Sequence, residues 1–296
     1  MPELPDVTVY IERLRERVQG RTLESIAIAS PFLLRTAEPA LSSIFGQRVR
    51  ELRRLGKRIA FGFENHHWLV LHLMIAGRLH WFGAGERVSG RKALARFIFD
   101  NGVLTLTEAG TQRRASLHLV ADERGLAAHE RGGLEPLEIS PADFAARLRS
   151  ENHTLKRSLT DPTLFSGIGN AYSDEILHAA RLSPIALSGK LTDEEIARLY
   201  EATQGVLRDW LERLRRESAS AFPEGVTAFR PEFAVHGRFG QPCPICGTKV
   251  QRIRYATNET NYCPRCQTGG RVLADRSLSR LLKDDWPRSI EELEAR

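Results

Sequence analysis

Cys243-Pro244-Ile245-Cys246 and Cys263-Pro264-Arg265-Cys266, with sixteen residues between them, contain all four cysteines of the chain. Each C-x2-C pair can present two thiolates from one tight turn. Two such knuckles at this separation can close a tetrahedron around zinc. Two disulfides are the competing arrangement, and they require an oxidising compartment. A redox C-x-x-C is normally single and lies beside a βαβ unit. One zinc ion on Cys243, Cys246, Cys263 and Cys266 is therefore expected. Its role is that of a scaffold, because four protein ligands leave no open position for water.

The charge of the chain concentrates around this ribbon. The net charge is +6 over 296 residues. Between Arg238 and Lys283 nine basic residues face two acidic ones, so this segment alone carries +7 and the remainder is close to neutral. A compact basic patch is the footprint of a polyanionic partner; a solvated surface in an Arg-rich chain would give the same count. Apolar residues at 42% and charged residues at 27% are ordinary for a globular protein. No apolar run approaches the roughly 18 to 20 residues of a membrane helix. Met1-Pro2-Glu3-Leu4-Pro5-Asp6 lacks the basic and apolar regions of a secretory signal, so a cytosolic protein with no membrane partner is expected.

Apolar periodicity divides the chain in two. Val7, Ile11, Leu14 and Val18 predict a helix over residues 7–19, ended by Gly20. Short stretches rich in Val, Ile, Leu and Phe follow at 23–29, 58–63, 68–74, 96–99, 103–107 and 117–120. They predict a β-sandwich or barrel with a leading helix. After Gly132-Gly133 the pattern turns helical, over 142–148, 155–159, 171–180 and 192–216. A loop is predicted over 218–231, and Ser289-Ile290-Glu291-Glu292 predicts a capping box for a final short helix.

Pro2-Glu3-Leu4-Pro5-Asp6-Val7, Gly56-Lys57-Arg58, Gly167-Ile168-Gly169-Asn170-Ala171-Tyr172 and the four-cysteine ribbon occur in one order along the chain. From Pro2 to Gln267 this pattern resembles the formamidopyrimidine-DNA glycosylase and endonuclease VIII family. The resemblance implies an α+β multidomain fold: an N-terminal catalytic β-sandwich domain over 1–133, a helix–two-turn–helix DNA-binding domain over 134–237, a zinc ribbon over 238–270 and a tail over 271–296.

It also implies roles for particular residues. Loss of Met1 would make Pro2 an N-terminal secondary amine, and an α-amine titrates at about pH 8, so part of it is neutral and nucleophilic. Without the resemblance, Pro2 reads as a proline at a permitted helix start. Glu3 is placed to move protons as a general acid/base, and its carboxylate also suits a helix N-terminus. Lys57, in a turn before a strand, corresponds to a family lysine near the scissile sugar. Asn170 and Lys156 correspond to DNA phosphate contacts, Asn170 at a helix N-terminus suited to an anion. Arg113, Arg114 and Lys92 fall where further DNA contacts occur.

Three positions depart from the family pattern. Where the family has His-Leu-Gly-Met, this chain has His72-Leu73-Met74-Ile75, so Ile75 becomes the wedge that fills the gap left by an extruded base. After the Arg113-Arg114 pair, Ala115 replaces a phenylalanine. Five residues before Cys263, where the family has a phosphate-clamping arginine, stands Asn258. Asparagine cannot supply the bidentate, charge-assisted grip of a guanidinium. Arg252 or Arg254, on the facing strand, are the candidate substitutes.

The function expected is a bifunctional DNA glycosylase and AP lyase acting through a Pro2 Schiff base, with strand cleavage by β- or β,δ-elimination. The enzyme is expected to be a monomer associated with the bacterial nucleoid, its partner damaged or abasic DNA, duplex or single-stranded. Two other readings are a lesion- or structure-binding protein of the same fold with weakened catalysis, and a nucleic-acid module with no base-removal role.

Overall fold

A computed structural model describes residues 1–87, 93–109, 113–224, 230–255, 258–275 and 287–295. The chain forms two compact units, Met1–Arg131 with Trp210–Thr227, and Gly132–Asp209 with Ala228–Arg296.

The first unit begins with α1 (Leu4–Val18), three residues earlier than the apolar spacing predicts. Glu3 is the cause. It and Asp6 form a reciprocal capping box, and Pro5 falls in the first turn, where its missing N–H has no helical partner to lose. Eight strands follow: β1 (Thr22–Ile28), β2 (Gln47–Leu55), β3 (Arg58–Phe63), β4 (Trp68–His72), β5 (Gly77–Gly83), β6 (Ala93–Phe99), β7 (Gly102–Glu108) and β8 (Ser116–Val120). They pair antiparallel in the order β5-β7-β6-β1-β2-β3-β4-β8. Between β1 and β2 the ladder narrows to Thr22↔Arg48 and Leu23↔Gln47, so the strands form two four-stranded leaves joined at a short seam. Inward residues of both leaves, among them Phe97 and Leu104 of one and Phe61 and Leu71 of the other, share a core with Val7, Tyr10, Ile11 and Leu14 of α1. This is the expected β-sandwich with its leading helix. On the outer face of the second leaf, Trp68, Val70 and Ala60 pack with Leu126 of α2 (Glu123–Ala127).

Two strands escape the sequence reading for physical reasons. In β2 a bulge between Val49 and Glu51 breaks the period of two. Val49 and Leu52, three apart, therefore join the same core, amid charged neighbours that hide the strand. β5 is bracketed by Gly77 and Gly83, residues depleted in strands. Gly77 is required sterically: a Cβ there would stand 2.2 Å from the Leu73 carbonyl oxygen, to which the Gly77 N–H donates at 2.9 Å.

Within that same turn Met74 has φ 53°, a left-handed conformation that L-residues adopt at a cost of roughly 1–2 kcal/mol. Glycine at this position would remove the cost but add about 0.4–1 kcal/mol of unfolded-chain entropy. Met74→Gly should therefore raise thermal stability by a net of roughly 0.5–1 kcal/mol. Calorimetry on both proteins checks this. A lower midpoint for the variant would mean that methionine side-chain packing outweighs the backbone strain.

The second unit contains α3 (Pro141–Arg149), α4 (Leu155–Thr160), α5 (Asn170–Ala179) and most of α6 (Asp193–Glu217). Phe144 of α3 packs on Phe165 with ring centroids 4.8 Å apart. The ribbon adds β9 (Gln251–Arg254), β10 (Glu259–Tyr262) and α7 (Pro264–Thr268). A last helix, α8 (Ile290–Glu294), starts where predicted, with the Ser289 hydroxyl accepting from the Glu292 N–H. No described helix is long and apolar enough to cross a membrane.

Candidate functional site

The N-terminal residues lie on the first unit. Pro2 is buried, and Glu3 is only 2% exposed. The Glu3 N–H donates to Asp6 Oδ2 at 2.9 Å while the Glu3 carboxylate accepts from the Asp6 N–H. The peptide that follows Pro2 is thereby fixed by α1. Burial depresses the pKa of the chain's α-amine, carried here by Met1. Glu3 and Asp6 oppose that shift, while Arg78 and Lys57 add to it. The N-terminal amine and Glu3 therefore share one electrostatic neighbourhood with Lys57, which is distant in sequence.

Lys57 is placed by a two-residue turn between β2 and β3, closed by the Leu55↔Arg58 pair. Gly56, at φ 61°, supplies the left-handed residue that such hairpins need first. Arg58 lies across the ladder from His72, the end of β4. Burial, with Arg58, Lys57 and His118 nearby, pushes the His72 pKa down to about 4, so its imidazole is neutral beside the Lys57 cation. His72 lies three residues before Ile75, and no motif in the sequence marks it as a site residue. Ile75 is 56% exposed at the tip of the turn from Leu73 to Gly77.

The arginine pair sits at the end of the β7–β8 connection. Buried Glu108 anchors it, accepting from the Arg114 N–H at 2.9 Å and the Ala115 N–H at 3.2 Å. Arg113 and Arg114 are exposed, and Ala115 is buried. Nothing in the sequence marks Glu108, because its role is to receive backbone amides of a loop. Lys92 lies outside the described residues.

In the second unit, α4 and α5 form the helix–two-turn–helix, with Gly169 at the N-cap of α5. Lys156 Nζ donates to Asp174 Oδ1 at 2.5 Å and to the Asn170 carbonyl at 2.7 Å. Asp174 is fully buried; its Oδ2 accepts from His236 Nδ1 at 2.7 Å and from the Asn261 N–H at 3.1 Å. Asn170 Nδ2 donates to the Glu259 carbonyl at 2.9 Å. Next along α5, the Glu175 carboxylate accepts from the N–H groups of Ala234, Val235 and His236. Lys156 and Asn170 are thus brought together, and Asp174, which the sequence reading missed, holds them to β10.

On the ribbon, β9 and β10 pair Arg254 with Glu259 and Arg252 with Asn261. Arg252 is engaged, 3.3 Å from Glu259 Oε2 and over the Phe239 ring at 4.2 Å. Arg254 is exposed; its backbone N–H donates to Asp275 Oδ2 at 2.7 Å. Asn258 is exposed at the hairpin end, its carbonyl accepting from the Tyr255 N–H. Of the two candidate substitutes for the missing arginine, Arg254 is the one whose side chain faces solvent.

The four cysteine Sγ atoms all lie within 4.8 Å of one another. Cys246 to Cys263 is 3.4 Å and Cys243 to Cys266 is 3.9 Å. A disulfide needs about 2.0 Å. A zinc tetrahedron with Zn–S of about 2.3 Å has edges near 3.8 Å, which these separations fit. Cys243, Cys246, Cys263 and Cys266 hold one structural zinc.

A β-sandwich with a leading helix, a helix–two-turn–helix and a four-thiolate ribbon together define a zinc-ribbon, nucleic-acid-binding class of protein. The family model for the formamidopyrimidine-DNA glycosylase N-terminal domain matches residues 1–118, and that for the family's H2TH domain matches residues 133–220. The zinc finger found in FPG and IleRS matches residues 240–269. The formamidopyrimidine-DNA glycosylase of Heliobacterium modesticaldum is 33% identical over 278 residues, 90% of this chain and 100% of its own. A formamidopyrimidine-DNA glycosylase-like protein of Mycobacterium tuberculosis is 44% identical over 151 residues, 51% of this chain and 94% of its own. Among solved structures, the MutM (Fpg) protein of Thermus thermophilus is 33% identical, with a TM-score of 0.76 over 90% of this chain and 98% of that one. A Lactococcus lactis Fpg mutant bound to Fapy-dG-containing DNA is 25% identical, with a TM-score of 0.79 over 90% of this chain and 100% of that one. The chain belongs to the formamidopyrimidine-DNA glycosylase family of zinc-containing DNA-repair enzymes.

Proposed function

We propose that this chain is a bifunctional DNA glycosylase and AP lyase that works through Pro2. The observation that carries the reading is the shared neighbourhood of the N-terminal amine, Glu3 and Lys57. Removal of Met1 exposes the Pro2 secondary amine. Its nitrogen attacks C1′ of a damaged nucleoside; the N-glycosidic bond breaks and the base leaves with a proton that Glu3 can supply. The nitrogen loses its proton, the C1′–O4′ bond opens with a proton delivered to O4′, and the iminium forms; it withdraws electrons, the C2′ proton is lost, and the C3′–O bond breaks by β-elimination. Lys57 and neutral His72 line the same end of the sheet, where a cation and a hydrogen-bond donor suit the phosphate beside the reacting sugar. Residues 1–133 are the catalytic domain in this reading, with DNA contacts from 134–237 and from the ribbon over 238–270. One chain carries every part, so the enzyme acts as a monomer, in a bacterial nucleoid. Incubation with abasic-site DNA and borohydride tests the reading: a covalent protein–DNA adduct is expected, and its absence would overturn it.

Substrate preference follows from the departures. Ile75 can wedge between bases, but Ala115 cannot stack on one, so a duplex lesion is extruded with less compensation. Abasic and single-stranded sites should be processed better than 8-oxoguanine in duplex DNA. A weakened, lesion-binding protein is the second reading, and Asn258 is the observation that favours it. Asn258→Arg should steepen the salt dependence of DNA binding by about one unit of slope. It should raise strand cleavage roughly tenfold to a hundredfold, as expected for a charge-assisted bond of about 1.5–3 kcal/mol. Salt titration and single-turnover cleavage measure both. No change in either would assign the phosphate contact to Arg254.

A further inference from the structure

The ring of His178 is buried, 3% exposed, in the last turn of α5. Its Nε2 lies 3.3 Å from the Sγ of Cys243, a zinc ligand of the ribbon. The chemistry fixes the direction of this contact. A zinc-bound thiolate has no proton and can only accept, so the imidazole is the tautomer with its proton on Nε2. A buried donor of this kind, without the sulfur, would be left with an unmet desolvation cost.

We propose that His178 is an outer-sphere partner of the zinc, donating Nε2–H to the Cys243 thiolate and thereby setting how tightly the ion is retained. Its position on α5 explains how the bond is held in place. Asn170, Asp174 and His178 recur at intervals of four and share one helix face. Each reaches the ribbon: Asn170 at the Glu259 carbonyl, Asp174 at the Asn261 N–H, His178 at Cys243. The first two bonds fix the helix against β10, so the imidazole is presented to the sulfur without freedom to turn away. Partners of this type draw charge from a ligating sulfur and orient it, and their removal typically costs tenfold to a hundredfold in metal affinity.

The test compares zinc retention and ligand-field spectra in full-length protein. His178→Gln can return an amide N–H to the Nε2 position, whereas His178→Asn is too short to reach the sulfur, and His178→Phe keeps the ring without a donor. Competition with a chromophoric chelator should show zinc binding weakened tenfold to a hundredfold in the Phe and Asn variants, and largely restored in the Gln variant. In Co2+-substituted protein the thiolate charge-transfer bands should shift in Phe and Asn relative to wild type and return in Gln. If the Phe variant fails to fold, the Gln–Asn comparison decides alone. Equal zinc affinity and unshifted bands in the Asn variant would overturn the proposal. Equal losses in Gln and Asn would also do so, since the ring's volume rather than its N–H would then be what the ribbon needs.

Discussion

Retention of Met1, or any tag ahead of Pro2, should abolish the borohydride-trapped adduct with abasic-site DNA, a loss on the order of a thousandfold or more. An amide nitrogen has no available lone pair, so a blocked Pro2 cannot form an iminium. Intact mass spectrometry of the two preparations establishes which N-terminus each carries. An adduct of equal yield from blocked protein would move the nucleophile to a lysine, with Lys57 first to be replaced. The pH dependence has a definite sign. Burial, with Arg78 and Lys57, lowers the Met1 α-amine below its ordinary value, and the Pro2 amine exposed by loss of Met1 is expected to inherit that direction. An amine is nucleophilic above its pKa, so the acid limb of adduct formation should lie below the usual value of about 8. Lys57→Met removes one of the depressing charges and should move that limb upward. A limb at or above the usual value in the wild-type enzyme would contradict this.

Asp174→Ala should strongly destabilise the second unit. It leaves the Lys156 ammonium and the His236 ring without their carboxylate and removes an acceptor from the Asn261 N–H. Breaking a buried ion pair by deleting one partner costs about 3–5 kcal/mol. Against a total of roughly 5–15 kcal/mol for a typical domain, that is a large fraction. Urea unfolding measures the loss, and hydrogen exchange at Asn261 should accelerate before that of the α5 backbone. A change under about 1 kcal/mol would mean that water or another acceptor replaces the carboxylate.

The legible parts of this protein were those in which local chemistry fixes the outcome. Four cysteines in two C-x2-C turns specify a tetrahedron regardless of what surrounds them, and they stand within 4.8 Å of one another. The helices of the second half follow their apolar spacing, and Ser289 caps α8 as its capping pattern predicted. What escaped was set by tertiary pairing. β2 is disguised by a bulge, and β5 is bracketed by glycines. Glu108, Asp174 and His178 carry no motif, because each finds its meaning in a partner elsewhere: a loop amide, a lysine of another helix, a cysteine 65 residues on. The sequence does not show that Asp174 already engages Lys156, the expected phosphate contact. Two of the three ammonium donors are already committed within the protein, which leaves one for a phosphate oxygen.

The two-stranded ribbon raises the question of why it does not recruit a third strand. A β-ribbon has two outer edges, each a row of backbone groups able to template pairing with another chain. Here each edge is occupied by an aspartate: Asp174 takes the Asn261 N–H of β10, and Asp275 takes the Arg254 N–H of β9. Asn170 closes the Glu259 carbonyl beside the first of these. Both carboxylates are buried, and the edge N–H groups they take are no longer offered to an incoming strand. Loss of either aspartate would free an edge N–H, and association through added strands should then increase at high protein concentration.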